Sequence, residues 1–467
     1  QKIIAACAAE EFHGEEGEIK SIWLPEHTVR RVVLFGLGAQ EAWHTRKLPL
    51  VARRFVQYAK KERIKEFSCP LPLFGNSTED AIAPTHGARI FATNALMAAF
   101  EYHFYKTTPK EGWPAIAHIH LGANTSALAD AEKGALEGMI IGEETNACRR
   151  LANTPGGDMT PQVLAREALT MAKRYGIKAR VLDAAAMKRL GMGAVLGVAA
   201  GSSEKPKFII LEYLKGPKSQ KPLVLAGKGV TFDSGGVNIK PEAYMYEMHM
   251  DMSGGAAVIH GIAAIARLKL PVNVIGLVPA VENMPSGSSY RPGDLLKSLS
   301  GKIIEVLNTD AEGRVILADA LTYALRYKPG LIVDIATLTG AAHVALGNYC
   351  SAIFSNREEL LPPFVQIGVD SGDYMWPLPL WDEYLADIKG VFGDLANTGR
   401  QDRYGGAIHG AKFLEQFVDT IPWAHLDIAP KMTTLDSEYL AKGASGVGVR
   451  YIVELAKKYP QLYSKLT

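Results

Sequence analysis

Asp310, Glu312 and Arg314 stand at alternate positions in "NTDAEGR", Asn308 to Arg314, between an apolar run ending "IIEVL" and a second beginning "VILADALTYAL". An extended segment points residues i, i+2 and i+4 to one face, so two carboxylates and a guanidinium would project together. Upstream, Lys228, Asp233, Lys240 and Asp251 lie among Gly229, Gly235 and Gly236, where backbone can approach a ligand closely. Taken alone, such charges are usually solvated or ion-paired. Converging carboxylates raise one another's pKa, and two divalent cations would relieve that repulsion. Oxygen-rich ligation with shared carboxylates suits a co-catalytic metal pair about 3.5–4 Å apart, which polarises a carbonyl and generates hydroxide at neutral pH. Lys228 can join such a set only as the neutral amine, its pKa depressed by adjacent metal.

Other chemistries fit less well. "AGKGVTFDSGGVNIK" is glycine-rich and follows a strand, but a phosphate-binding GxxxxGK loop needs glycine where Pro222 stands and Ser or Thr where Gly229 stands. "GLGAQE" at Gly36 lacks the third glycine of a dinucleotide fingerprint and reads as a strand turn. "GASGVG" from Gly443 carries Val447 where a nucleophile elbow needs glycine, so a serine hydrolase is disfavoured. No HExxH occurs, and His249, His260, His343, His409 and His425 lack paired ligand spacing, which reads as packing or support. His118 and His120 share one side of an apolar strand and read the same way.

The elements that must position these residues alternate strand-like and helix-like runs. Residues 1–130 hold "RRVVLFGLG", "HGARIFATNALMAAFEYHFY" and "AIAHIHLGA", the pattern of a small α/β domain. Residues 131–152 carry apolar positions at helical spacing and read as a linking helix, broken by "ANTPGGDMTP". Residues 153–467 offer strands in "KARVLDAAAM", "KFIILEYL", "PLVLAGKGVTF", "VNVIGLVPAVEN" and "GLIVDIATL", with helices such as "GGAAVIHGIAAIARL" between them. The expectation is a larger C-terminal α/β catalytic domain with a mixed, mainly parallel sheet flanked by helices.

A chain of 467 residues exceeds the length at which single cores stop growing, which agrees with two domains. A formal charge of +2 names no partner. Cys7, Cys69, Cys148 and Cys350 form no CxxC pair, which points to a reducing compartment, the cytoplasm. Neither a membrane-length apolar run nor the pattern of a secretory signal is present, and the missing initiator methionine leaves the native start open.

"NTDAEGR", "GKGVTFDSGG", "NIK" and "DMSGGAA" resemble the signatures of the leucyl (cytosol) aminopeptidases, a family of metallopeptidases. "NTPGGDMTP", "RPGDLLKSLSGKIIEVL", "DIATLTGA", "DLANTG" and "WAHLDIAP" extend the likeness from about Asn153 to Arg450. The resemblance implies that Lys228, Asp233, Asp251 and Glu312 hold one metal and Asp233, Asp310 and Glu312 the other, the Asp310 carbonyl adding a ligand. It implies Lys240 as electrophile and Arg314 as holder of a bicarbonate general base. Met248, Thr337, Gly340, Ala429 and Met432 would line the side-chain pocket, Leu338 would offer a backbone contact, and Asn308 would also face substrate. The implied activity is release of N-terminal leucine and other apolar residues from peptides, with zinc or manganese, and magnesium or cobalt as further options, by a homohexamer of two trimers. "EMHMDM" and "APKM" depart from the expected forms and bear on the pocket.

Two rival readings remain. "RKLPLVARRFVQYAKKERIK", Arg46 to Lys65, has eight basic residues against Glu62 and could track nucleic-acid phosphates, or form a solvated amphipathic face with Leu50, Phe55 and Tyr58 buried. The first 130 residues hold 15 Lys/Arg against 14 Asp/Glu, so no basic surface covers the domain. A binuclear phosphoesterase would also use bridging carboxylates but would normally want histidine ligands, which the cluster lacks.

Overall fold

The computed structural model describes residues 12–71, 82–400 and 404–466, so Cys7 and the first residues lie outside it. A hairpin of β1 (Ile19–Trp23) and β2 (Arg31–Phe35) opens the described chain. It is followed by α1 (Leu48–Lys61), β3 (Glu66–Pro70), α2 (Pro84–Ala99) and β4 (His118–Gly122), with β3 and β4 pairing parallel. A small core gathers Ala52, Val56, Phe91 and Ala95 from α1 and α2. Helix α2 stops at Ala99, short of the helix-like run that continues to Tyr105: Phe100 turns extended, and its ring lies 4.4 Å below the Arg149 guanidinium.

The long α3 (Leu128–Asn153) packs against α2 and ends where Thr154 and Pro155 leave helical geometry. Thr160 then caps α4 (Pro161–Tyr175), its hydroxyl accepting the Val163 amide at 3.3 Å. "KARVLDAAAM" is strand only over β5 (Lys178–Leu182), because the Asp183 carboxylate accepts the Ala186 amide and starts α5 (Ala184–Leu190). The chain continues through α6 (Gly193–Val198), β6 (Lys207–Leu214), β7 (Leu223–Gly227), β8 (Gly229–Asp233), α7 (Glu242–Met245), α8 (Ser253–Arg267) and β9 (Asn273–Asn283). Next come β10 (Leu295–Lys297), β11 (Ile303–Glu305), α9 (Glu312–Ala324), β12 (Leu331–Ala336), α10 (Gly340–Leu346) and β13 (Ser351–Ser355). The last elements are α11 (Leu361–Ser371), β14 (Met375–Pro377), β15 (Leu395–Ala396), α12 (Gly406–Glu415), β16 (Trp423–Asp427) and α13 (Val449–Leu466).

The main sheet runs β14-β13-β16-β12-β7-β9-β6-β5, with β8 also paired to β9. Its middle is parallel, β16 with β12, β12 with β7 and β7 with β9, while β5, β6 and the β13–β16 pair run antiparallel. The mixed, mainly parallel expectation therefore holds. Every residue of β7 and β12 is buried, the continuous apolar pattern of strands covered on both faces. One core, with Ala257, Ile262 and Ile452, joins α8 and α13 to one face. The other, with Val315, Leu317 and Phe413, joins α9 and α12 to the opposite face.

"PLVLAGKGVTF" is two strands, not one. The chain steps at Lys228, whose amide donates to Ile335 O (3.0 Å) and whose carbonyl accepts from Gly255 N (2.7 Å). Lys228 thus stays tied to β12 by its amide while its carbonyl turns to α8, at the carboxyl end of β7.

Candidate metal centre

The candidate residues gather at the carboxyl ends of the parallel strands, where open α/β sheets bind ligands. Lys228 follows β7, Asp233 ends β8, and Thr337 follows β12. Asp251 enters from the turn before α8, and Asp310 and Glu312 from the turn that starts α9.

"NTDAEGR" is not extended: Glu312 already begins α9, so Asp310 sits in a turn while Glu312 and Arg314 follow helical geometry. Two residues along a helix lie about 200° apart, so Arg314 leaves α9 on a different side from Glu312, though its buried guanidinium still feels the Glu312 charge. Its Nη1 donates instead to Asn397 O at 2.9 Å. Asp310 and Glu312 still meet, through the turn, and with Asp233 they place carboxylate oxygens within 4.8 Å of one another.

Two lysines enter this cluster from different sides. Lys228 Nζ lies 2.8 Å from both Asp251 Oδ2 and Glu312 Oε1 and donates to Thr337 O at 2.9 Å. Lys240 Nζ lies 2.9 Å from Asp233 Oδ2 and 2.5 Å from Asp310 Oδ1. Burial opposes the charge on Lys228, but Asp251, Glu312 and Asp233 outweigh it and hold the ammonium above the ordinary lysine range. Burial pushes the Glu312 carboxyl up to about 8, with Asp233 adding repulsion, and Asp251 up to about 6. To ligate a metal, Lys228 would release its proton.

The donor set suits divalent cations. Asp251 Oδ2, Glu312 Oε1 and Asp310 Oδ1 are buried with a lysine ammonium as their one neighbouring cation, and Glu312 Oε2 is buried with no partner. Carboxylate oxygens with one amine nitrogen are acceptable to zinc, manganese, magnesium or cobalt. Because buried acceptors are normally satisfied, the bare Glu312 Oε2, amid carboxylates that share only two lysines, points to a further cation.

Supporting residues hold the ligands in place. Asp233 Oδ1 accepts from Gly235 N and Asn283 Nδ2, both at 2.9 Å. Asn283 Nδ2 and the Tyr290 hydroxyl both donate to Thr309 O, at 2.9 and 2.7 Å. Thr309 and Asn238 exchange hydrogen bonds at 2.9 Å, which ties "NIK" to "NTDAEGR". Gly235 is left-handed (φ +86°), and a Cβ there would lie 2.4 Å from Asn238 O and 3.0 Å from Asp310 Oδ1. The glycines that fit no phosphate loop thus serve this crossing. Asn397 braces the turn from behind, accepting from Leu307 N at 2.8 Å and donating to Asn308 O at 2.6 Å. Of these partners, Asn283, Tyr290, Thr309 and Asn397 received no role from the sequence; "DLANTG" contained the only signal for Asn397.

The pocket candidates surround the same strand ends. Thr337 is buried and donates to Asp251 Oδ1 at 2.6 Å, so its hydroxyl positions a candidate ligand. The Leu338 amide donates to Asp427 Oδ1 at 3.0 Å, which fixes this stretch of backbone after β12. Gly340 begins α10 with open space where a Cβ would stand. Met248, Ala429 and Met432 are half-buried, and Met432 packs against the core beside α13. Asn308 Oδ1 accepts the Asp310 amide at 2.8 Å, so that side chain shapes the turn.

The histidines stand elsewhere. His260 pairs with Glu144 (2.8 Å), His409 with Asp387 (2.9 Å) and His425 with Asp334 (2.6 Å), while His120 pairs with Glu66 (2.7 Å). Cys69, Cys148 and Cys350 are free thiols. Among the described residues, no helix is long and apolar enough to cross a membrane.

Comparison with known proteins gives a consistent result. The model described as "Cytosol aminopeptidase family, catalytic domain" matches residues 146–453, and that family's N-terminal domain matches residues 1–109. A probable cytosol aminopeptidase of Syntrophotalea carbinolica is 41% identical over 460 residues, covering 96% of this chain and 90% of that protein. Another from Roseiflexus castenholzii is 42% identical, covering 92% and 88%. The solved bottromycin maturation enzyme BotP in complex with Mn superposes with a TM-score of 0.88 at 30% identity, covering 97% of this chain and 96% of that one.

Proposed function

Because this chain belongs to the cytosol aminopeptidase family, we propose that it is a metal-dependent aminopeptidase of leucyl type that removes apolar N-terminal residues from peptides. The observation that carries the reading is the convergence of Asp233, Asp310 and Glu312 within 4.8 Å, beside Lys228 and Asp251, with Glu312 Oε2 buried and unpartnered.

Lys228, Asp233, Asp251 and Glu312 would hold one divalent ion and Asp233, Asp310 and Glu312 a second, with Asp233 and Glu312 in both sets. Bound there, the pair would supply Lewis-acid polarisation of the scissile carbonyl and an activated water. The manganese complex of BotP supports divalent binding at this fold.

The chain's own groups do the rest. The Leu338 carbonyl would accept from the peptide and orient its N-terminal residue. Lys240 would turn its ammonium from Asp233 and Asp310 toward the scissile carbonyl, donating to the oxygen as negative charge develops. Arg314 Nε, buried without an acceptor, suits a small anion, and bicarbonate held there would supply a general base. Met248, Thr337, Gly340, Ala429 and Met432 would form an apolar pocket in which one methylene changes binding by about 1–3 kcal/mol, so selectivity would be broad. By the same family likeness the assembly would be a homohexamer of two trimers, which light scattering would test.

The deciding experiment is hydrolysis of leucyl-p-nitroanilide by chelator-treated protein and by protein reloaded with zinc or manganese. Activity should return with metal, disappear in Glu312→Ala and fail on N-acetyl-leucyl-p-nitroanilide. Equal activity with and without the free amine would overturn the exopeptidase reading.

A further inference from the structure

The basic helix α1 does not turn its arginines uniformly to solvent. Arg53 is only 5% exposed, and among the described residues its side-chain hydrogen bonds go to no carboxylate. Its guanidinium donates to Asn94 Oδ1 at 2.9 Å and to Glu438 O at 3.2 Å, both uncharged acceptors. A buried cation without a direct ion pair is costly to keep.

Arg53 lines a cavity of about 340 Å³ between α1 and α2 on one side and α11, α13 and the Lys431–Glu438 segment on the other. Arg46, Arg89, Lys431 and Arg450 line it too. The carboxylates at its wall are already matched: Glu438 with Lys431 at 2.7 Å, Glu454 with Arg89, and Asp370 with Lys458. Arg450 is paired to Asp373 through Nη2, but its Nε is buried with no acceptor. The unmatched charge falls on Arg53 and on Arg46, which is exposed. Burial, then repulsion from Arg450, lowers the Arg53 guanidinium to about 10 despite the more distant Glu438 and Asp373 charges, which are themselves paired with Lys431 and Arg450.

We propose that this interdomain cavity binds the oxyanion group, phosphoryl or carboxylate, of a small molecule, held by Arg53 and Arg450 with Arg46 at the mouth. An oxyanion there would neutralise Arg53 through the charge-assisted bonds that arginine makes best, with the Arg450 guanidinium adding positive charge beside it. The site shares no residue with the metal centre, so its existence is independent of the aminopeptidase assignment.

Thermal unfolding of the full chain tests the proposal, in sodium chloride and in inorganic phosphate or succinate at matched ionic strength. Wild type should gain a saturable rise of about 2 °C or more in at least one oxyanion. A rise in phosphate alone identifies a phosphoryl site, and one in succinate alone a carboxylate site. Arg53→Gln should abolish the rise, while Arg314→Gln, which alters the other buried arginine candidate, should keep it. If Arg53→Gln does not fold, calorimetric titration of Arg46→Gln decides, with at least threefold weaker binding expected. No rise in wild type, a rise unchanged in Arg53→Gln, binding unchanged in Arg46→Gln, or loss in Arg314→Gln would overturn the proposal.

Discussion

Lys228 Nζ rests 2.8 Å from Glu312 Oε1, and both side chains are at most 4% exposed. The contact requires the residue after Glu312 to lack a side chain: a Cβ at Gly313 would lie 2.6 Å from Lys228 Cε and 2.8 Å from Nζ. The lysine cannot simply move aside, because Asp251 and Thr337 O hold the same ammonium.

Gly313→Ala should therefore fold, since alanine is readily accommodated in the first turn of α9, yet displace the lysine and lower activity on leucyl-p-nitroanilide at least about tenfold. Steady-state kinetics with metal content measured by atomic emission checks this. Wild-type activity and stoichiometry would show that Lys228 adapts and that its position is not needed.

Glu312→Gln separates the carboxylate's two effects. Burial and the nearby Asp233 charge make the Glu312 carboxylate unfavourable where it stands, pushing its pKa to about 8. In chelator the variant should melt no lower than wild type, because an uncharged amide relieves that repulsion. On adding zinc or manganese, wild type should gain several degrees and the variant little, since ligand-linked stabilisation follows metal affinity. Scanning calorimetry in both conditions reads the difference; an equal metal-induced rise would remove Glu312 from the ligand set.

Much of this arrangement is legible in the sequence because the chemistry restricts residue type. Carboxylates and lysines amid glycines serve little besides ion binding once "NTDAEGR" and "GKGVTFDSGG" occur together, and the central strands declare themselves by unbroken apolar runs. The geometry of "NTDAEGR" is not legible in the same way: alternate charges suit a strand face, whereas the helix begins at Glu312 and the turn brings Asp310 across. Asn283 and Asn397 are silent in the sequence on different grounds. Amides are common on surfaces, and their role here depends on partners far away along the chain, Thr309 for one and Asn308 for the other.

Asp319 gives a pH-dependent prediction away from the metal centre. It is fully buried, its Oδ2 accepting from Val195 N at 2.9 Å and its Oδ1 from Leu299 N at 2.7 Å. Burial raises its carboxyl to about 7 against the pull of those bonds, whereas an unfolded aspartate titrates near about 3.9. Between those values the folded state binds the extra proton, so Asp319's contribution is full below about pH 4 and declines until about pH 7. Asp319→Asn does not titrate there. The stability of wild type relative to Asp319→Asn should fall as pH rises through this window, a comparison in which the metal ligands cancel. A pH-independent difference in melting temperature would mean that Asp319 is ionised throughout, its amide bonds prevailing over burial.

Lys240 is the sharpest test of the proposed chemistry, because its present partners and its proposed task differ. Its ammonium lies between Asp233 and Asp310, and burial opposes its charge while Asp233, Glu312 and Asp310 raise its pKa above the ordinary range. It is thus a proton-bearing donor across the working pH range, suited to an oxyanion and unsuited to act as a base. Removing one such donor costs about 10²–10³ in kcat. Lys240→Met, which keeps the length of the stem, should show that loss with KM changed less than about threefold and with full metal content. A rise in KM with kcat retained would make Lys240 a substrate-binding group. Loss of metal would make it a structural counter-ion to Asp233 and Asp310, and either result would remove it from transition-state stabilisation.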